Sequence, residues 1–548
     1  MSSSELPSRR ELLAAIAAVG IGPATFQRAL AQDAAKVGAV TPEMVEAAEW
    51  VAGITLTPEE RRNVAAGLSQ GRREDADLYA FPLGNDVPPA LAFHPAAGLP
   101  PSCEGRGQVR SIPLKDVAKK PDSEDDLAFL PVVRLAELLR TRQVTSLELT
   151  KLYLRRLKQY DPVLKFAVTI TEDLALKQAA AADREIAAGR YRGPLHGVPW
   201  GAKDLMAVPG YRTTWGAETF REQTFDTTAT VVERLEKAGA VLVAKLTLGA
   251  LAWGDRWFGG QTRNPWDTER GSSGSSAGSA SAVAAGCVGF AIGSETLGSI
   301  VSPSRECGVT GLRPTFGRVS RHGCMALAWS MDKIGPMARC VEDTALILGV
   351  VHGADGLDPT AVDRPFDWPC AKPLSEIRVG IVGESPDVTK VLAGLGVKRV
   401  PIELPRDFPL DAMDSVLTTE AAAAFDDLIR KGDLTGIGRS WPTPLRRAMF
   451  TSAVTYLRAQ RARTRLMQAM AKVMQEVDCY VAGNDLVITN LTGHPSICVP
   501  GGFHTEKDKR PRPIGLTFTG RLYGEAELLT VAKAYQDATG FHLRRPPL

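Results

Sequence analysis

None of the chain's eight cysteines forms a Cys-x-x-Cys pair, and none of its seven histidines belongs to a His-Glu-x-x-His run. The first absence removes the usual frame of a structural zinc site, and the second removes the zinc-carrying helix of many metalloproteases. An excess of either charge is missing too. With 65 basic against 62 acidic side chains, the net +3 over 548 residues offers no concentrated basic face, so no nucleic-acid partner is expected. No apolar run reaches the roughly 20 residues that cross a bilayer, and stable membrane insertion is not expected either. No internal repeat is present.

What is there is the composition of a soluble globular protein, 44% hydrophobic and 23% charged, with ample material for a core. The length allows several domains, although large single-domain α/β enzymes also reach it.

The N-terminus departs from this pattern. Ser8-Arg9-Arg10-Glu11-Leu12-Leu13 opens a modestly apolar stretch through Phe26, diluted by Gly20, Gly22 and Pro23, and Arg28 then precedes Ala29-Leu30-Ala31. A basic pair, an apolar core and an A-x-A site in that order match a twin-arginine export signal over residues 1–31, with cleavage after Ala31 and a periplasmic or secreted product. An ordinary amphipathic helix would not need all three parts. An oxidising compartment permits disulfides, but frames such as Ile497-Cys498-Val499 suit a buried thiol, and cysteine pairing stays open.

Residues 32–129 read as an N-terminal extension. Thr41-Pro42-Glu43 and Thr57-Pro58-Glu59 each place a threonine N-cap, a proline at the first helical position and an acid in the first turn. Helices to about Ala80 give way to a proline- and glycine-rich irregular connection from Phe81 to Asp126. From 130 to 548 the pattern tightens. Thr145 and Glu148 form a capping-box signal before Leu149, Leu152, Tyr153 and Leu157, whose spacing marks an amphipathic helix. Short β-rich runs (Phe166 to Ile170, Ala240 to Ala244, Val379 to Val382) alternate with helical stretches such as Thr230 to Ala238. Such alternation predicts an α/β body with a largely parallel or mixed sheet.

The most informative stretch is Gly271-Ser272-Ser273-Gly274-Ser275-Ser276-Ala277-Gly278-Ser279-Ala280-Ser281, followed by a small-residue run and a second site at Gly298-Ser299. Glycine lets backbone amides approach a ligand, and adjacent hydroxyls can pass protons or attack as nucleophiles. A flexible linker is the alternative, but this run leads directly into Ala282-Val283-Ala284-Ala285-Gly286, which suits a helix packed closely on a neighbour. Gly274-Ser275-Ser276-Ala277-Gly278 also fits G-x-S-x-G, with Ser276 as the elbow serine. That elbow needs a buried strand before it, whereas Asn264 to Arg270 reads as a polar loop. A buried lysine can serve as base in place of histidine, since desolvation disfavours the ammonium. Lys203, after the largely apolar His196 to Ala202, is the candidate; Lys245 has a comparable frame, and an ion pair with Asp204 is the structural alternative for Lys203.

Gly193-Pro194-Leu195-His196-Gly197-Val198-Pro199, Lys203, Asn264-Pro265-Trp266, the Gly/Ser run, Gly298-Ser299-Ile300, Cys307 to Thr315, Gly317 to Ser320 and Asp332 to Arg339 occur in this order. Together they resemble the amidase signature family, from about Leu130 to the C-terminus and most densely from Gly193 to Arg339. The resemblance implies one large twisted mixed sheet flanked by helices, and amide hydrolysis by a Ser-Ser-Lys triad of Lys203, Ser275 and Ser299. It further implies a cis peptide bond at Ser275, a Ser299 acyl-enzyme, and an oxyanion hole of the Thr296, Leu297, Gly298 and Ser299 amides. No metal or organic cofactor is implied; the partner is a small-molecule amide, and the oligomeric state, homodimer included, is open.

Three positions depart from the family pattern: Glu295 where aspartate is usual, Leu297 where a second glycine is usual, and Val301 where arginine is frequent. Ala482-Gly483-Asn484-Asp485 also replaces a Thr-Pro-Thr-like stretch. Trp253, Trp257 and Phe258 are candidates to line an apolar pocket, or simply core. Two other functions compete: the glutaminase subunit of a tRNA-dependent amidotransferase, and a non-catalytic binding protein on the same scaffold.

Overall fold

Apolar runs in the middle of the sheet, such as Val241 to Leu246, become strands buried on both faces, as expected where helices cover a sheet from either side. The structure is a computed structural model that describes residues 39–83, 90–91, 93–95, 107–114, 116, 119–383, 385–481, 485–504 and 510–548. The twin-arginine-like segment 1–31, Cys103 and the Ala482-Gly483-Asn484 stretch lie outside these residues.

Fifteen strands are named in chain order: β1 (Ala167–Ile170), β2 (Pro199–Lys203), β3 (Val241–Leu246), β4 (Arg256–Trp257), β5 (Gly260–Gln261), β6 (Arg263–Asn264), β7 (Asp267–Gly271), β8 (Phe290–Glu295), β9 (Thr310–Arg313), β10 (Lys333–Ala338), β11 (Arg378–Ile381), β12 (Lys398–Pro401), β13 (Cys479–Val481), β14 (Ser496–His504) and β15 (Arg512–Gly520). Eleven form one mixed sheet in the order β1-β3-β2-β8-β10-β9-β14-β15-β13-β11-β12. β2 runs parallel to both β3 and β8, while β10 is antiparallel to β8 and β9. Alternation along each strand divides the core. Trp200, Phe290, Ile292 and Ile334 pack on one face, and Val243, Ala291 and Met337 pack on the other with Ala280 and Val283 of the Ala277–Ala284 helix.

This topology places the site. Because β2 and β8 are adjacent and parallel, their C-terminal ends, Lys203 and Glu295, emerge at the same edge of the sheet. Antiparallel β10 begins there, with Lys333 opposite Glu295. Ligands of α/β sheets gather at such strand ends.

Local sequence rules hold at the caps. Thr57 and Glu60 close a reciprocal capping box on the Pro58–Ala80 helix, and Thr145 and Glu148 do the same on Ser146–Leu164. The Pro42–Ala52 and Pro58–Ala80 helices share a small core of Val45, Leu56, Val64 and Ala65. Arginines from the body hold them down by satisfying helix-end carbonyls. Arg430 donates to Ala52 and Gly53, and Arg458 donates to Leu78, Tyr79 and Phe81.

One local reading needs correction. Part of the segment from Asn264 to Arg270 is strand, since β6 and β7 pair as a short antiparallel hairpin. Its side chains are polar because the hairpin stands outside the main sheet, with Glu269 and Arg270 exposed. Among the described residues all seven cysteines are free thiols. Burial pushes the Cys498 thiol up to about 12. No helix among the described residues is long and apolar enough to cross a membrane.

Candidate active site

Lys203 ends β2 with its side chain fully buried. Nζ lies 2.8 Å from Ser275 Oγ, 2.9 Å from Ser294 Oγ, 3.1 Å from Ser276 Oγ and 3.3 Å from the Ser294 carbonyl oxygen. Burial lowers its pKa to about 7, against the opposing pull of the Asp332 and Glu295 charges. The neighbouring carboxylate is engaged elsewhere: Asp204 pairs with Lys245 at 2.7 Å, and both are buried.

The hydroxyls around Lys203 are not equivalent. Ser276 donates to the Ser294 carbonyl at 3.0 Å and accepts from the Ser294 amide at 3.1 Å. Its one proton is therefore committed, and it can only accept from Lys203. The Ser294 carbonyl can also only accept. A neutral amine thus directs its two N–H bonds at Ser276 Oγ and the Ser294 carbonyl, leaving its lone pair for a proton from Ser275 or Ser294. This geometry makes Ser276 a brace between the Gly/Ser loop and β8, the opposite of an exposed elbow serine.

Ser275 follows a cis peptide bond from Gly274. A Cβ at Gly274 would sit 1.9 Å from the Gly254 carbonyl oxygen, so the loop can pass here only as glycine. The same neighbouring loop grips Ser273, whose amide donates to Asp255 at 3.2 Å. The Ala277–Ala284 helix starts immediately afterwards, and its small residues are all buried.

Ser299 lies across from these residues. Its carbonyl accepts from the Ser276 amide at 3.0 Å, while its hydroxyl makes no hydrogen bond among the described residues. The preceding turn is clasped by one carboxylate. Glu295 Oε2 accepts from the Ile300 amide at 2.8 Å and the Val301 amide at 3.0 Å. Its Oε1 accepts from Arg313 at 2.6 Å and Asn490 at 2.9 Å. Burial alone would push this carboxyl up, but Arg313, Lys333 and the Val301 amide hold it down at about 2. Gly298, at φ 83°, supplies the left-handed residue of the turn. Thr296 is fixed by a 2.6 Å bond to Asp332, which also accepts from the Leu327 and Ala328 amides. Lys333 donates to Asn490 at 2.7 Å. Within this frame the amides of Thr296, Leu297, Gly298 and Ser299 donate to no acceptor among the described residues. Unspent backbone donors in a fixed turn can receive developing negative charge.

The structure therefore brings Lys203 and Ser275 into direct contact and ties Ser299 to Ser276 through the backbone. Sequence reasoning missed Ser294, Asp332 and Asn490. Ser294 and Glu295 carried a usable signal, since two polar residues end the buried apolar run from Phe290. A lone asparagine in the Leu486–Thr492 helix carried none. Leu297 is half-buried and lines a cavity of about 580 Å³ shared with Thr418, Val487 and Leu68 of the Pro58–Ala80 helix. No cluster of histidine, cysteine or carboxylate side chains suited to a metal ion occurs among the described residues.

A protein-family model described as Amidase matches residues 148–483. A glutamyl-tRNA(Gln) amidotransferase subunit of Roseiflexus castenholzii is 35% identical over 483 residues, covering 76% of this chain and 97% of that one. The peptide amidase of Stenotrophomonas maltophilia superposes with a TM-score of 0.65 at 31% identity, covering 76% of this chain and 98% of its own. An amidase family protein of Bacillus anthracis reaches a TM-score of 0.69 at 24% identity, covering 78% of this chain and 93% of its own, a likeness of fold.

Proposed function

The chain belongs to the amidase family and hydrolyses carboxylic acid amides at the C–N bond, and from that premise we propose that Ser299 is the nucleophile, Ser275 the proton relay and neutral Lys203 the base. The observation that carries this reading is the fully buried Lys203, lowered to about 7 and 2.8 Å from Ser275 Oγ. A group titrating near neutrality can both take and return a proton.

In the acylation step the Ser299 hydroxyl turns towards Ser275. Its proton passes to Ser275 Oγ as the Ser275 proton passes to Lys203, and Ser299 Oγ bonds to the amide carbon. The amides of Thr296 to Ser299 hold the oxyanion. Collapse breaks the C–N bond, and the proton on Lys203 returns through Ser275 to the departing nitrogen. Water then attacks the Ser299 ester, giving up a proton along the same path, and the acid leaves with Ser299 restored.

The pH profile tests the base. Because only neutral Lys203 can accept the proton, kcat/KM should rise about tenfold per pH unit below 7 and level off above it. A profile flat between about pH 5.5 and 8.5 would remove Lys203 from the role.

A further inference from the structure

The cavity of about 580 Å³ at the oxyanion turn is built from separate parts of the chain. Leu297 of the turn, Thr418 and Val487 come from the amidase body, whereas Val40, Leu68 and Gly71 come from the N-terminal extension, which precedes the family match at residues 148–483. The extension is a fixed wall. Its Pro58–Ala80 helix buries Leu78 in the main core, pairs Glu60 near its start with Arg446 at 2.6 Å, and brings the Tyr79 hydroxyl 2.9 Å from that of Thr455 at its end. The Val40 amide donates to Ser69 of the same helix at 2.7 Å.

Gly67 and Gly71 lie one turn apart on this helix and differ in what surrounds them. A Cβ at Gly67 would sit 3.1 Å from Arg447 Cδ, so close packing against the body accounts for that glycine. At Gly71 a Cβ would meet nothing within 4 Å, and the backbone there is ordinary helix. Glycine inside a helix is less stable than alanine, so neither packing nor backbone geometry favours it at this position. What the missing side chain does provide is room, because Gly71 lines the cavity.

We propose that the N-terminal extension completes the substrate site: its Pro58–Ala80 helix is the outer wall of the acyl cavity, and Gly71 sets the size of the acyl group admitted. The proposal rests on the amidase reading and adds to it a specificity-determining residue and a substrate class, an extended acyl group without negative charge. The departing nitrogen faces Ser275, which returns its proton, and among the described residues no member of the Gly/Ser run lines this cavity. The acyl group stays on Ser299 after the amine has left, and the cavity opens on that side, at Leu297 of the same turn. Around it Glu74, Asp75, Asp411 and Asp414 outnumber Arg72 and Arg447, which disfavours an anionic guest. Volume agrees as well, because ligand pockets commonly span about 300–1,000 Å³.

The test measures the rate at which Ser299 is phosphonylated by methyl fluorophosphonates carrying either an ethyl or an octyl ester chain. In the full-length wild-type protein the octyl ester should react at least about tenfold faster, the effect of burying roughly two methylenes. Gly71→Trp should lower that octyl-to-ethyl ratio about tenfold, and Gly71→Leu should lower it by less. Gly71→Leu should melt no lower than the wild type, since leucine is the better helix former and its Cβ enters open space. A wild type indifferent to chain length, a ratio unmoved by Gly71→Trp, or a lower melting temperature for Gly71→Leu overturns the wall, while labelling of Ser299 leaves the amidase mechanism standing. Failure of both compounds to label Ser299 in the wild type would instead overturn the mechanism.

Discussion

Lys203→Met is expected to be inactive and more stable than the wild-type protein. The activity loss follows from removing the base that contacts Ser275, and kcat/KM should fall by at least about 10³-fold. The stability gain follows from burial. Among the described residues no carboxylate contacts Lys203, and burial lowers its pKa from 10.5 to about 7, so the folded state is penalised for holding an ammonium. The sign determines the pH window. Below pH 7 lysine is charged in both folded and unfolded chains, and the whole penalty applies. Between 7 and 10.5 the unfolded chain binds the extra proton, so wild-type stability rises with pH. Above 10.5 neither state is charged and the penalty is gone. Methionine keeps the bulk and removes the charge, and Ser276 and Ser294 retain their mutual bonds. The variant should therefore be more stable by about 1–3 kcal/mol at pH 6.5, with the difference shrinking towards pH 10, a common trade between stability and activity. Urea unfolding at pH 6.5 and 9.5 measures this. A variant less stable at both values, or a difference indifferent to pH, would show that Lys203 is not held against its charge.

Glu295→Gln should cost about 3–5 kcal/mol of stability, the usual consequence of leaving one partner of a buried ion pair unmatched. The substitution looks conservative, and the donors show why it is not. Both carboxylate oxygens accept: one from the Ile300 and Val301 amides, the other from Arg313 and Asn490. A glutamine offers one oxygen and one NH₂ group. Either orientation therefore points the NH₂ group at a pair of donors, across the turn or towards Arg313. Arg313 keeps bonds to the His494 carbonyl and Ser496 but loses its counter-charge. Because the same carboxylate clasps the turn that carries the free amides, kcat should fall by about 10²-fold, the scale of a lost oxyanion donor. Denaturant unfolding with a parallel kcat measurement checks both. A cost below about 1 kcal/mol with kcat unchanged would mean that the turn holds its shape without the clasp.

How much of this was legible in the sequence depends on how local the cause is. The threonine caps at Thr57 and Thr145 depend only on residues three positions away, and both capping boxes are present. The mixed sheet follows from runs such as Val241 to Leu246, whose burial on both faces needs no partner to be named. The ordered motifs from Gly193 to Arg339 identified the family and gathered the residues of the site from separate elements. Partnerships across the fold were not legible. Nothing near Asp332 in the chain announces that its carboxylate holds Thr296, or that Asn490 links Glu295 to Lys333. The same holds for the departures. Glu295 read as a loss from the family pattern, yet in the fold its carboxylate clasps the turn through the Ile300 and Val301 amides. Ser276 shows the converse. Its motif was legible, and only the hydrogen bonds to Ser294 reveal a brace.

The central claim, that Ser299 attacks and Lys203 activates it, is tested most directly by treating the purified protein with a fluorophosphonate and locating the adduct by peptide mass spectrometry. One phosphonylated residue, Ser299, is expected, with no adduct in the Lys203→Ala variant. An adduct on Ser276, or labelling of Ser299 that survives the loss of Lys203, would contradict it.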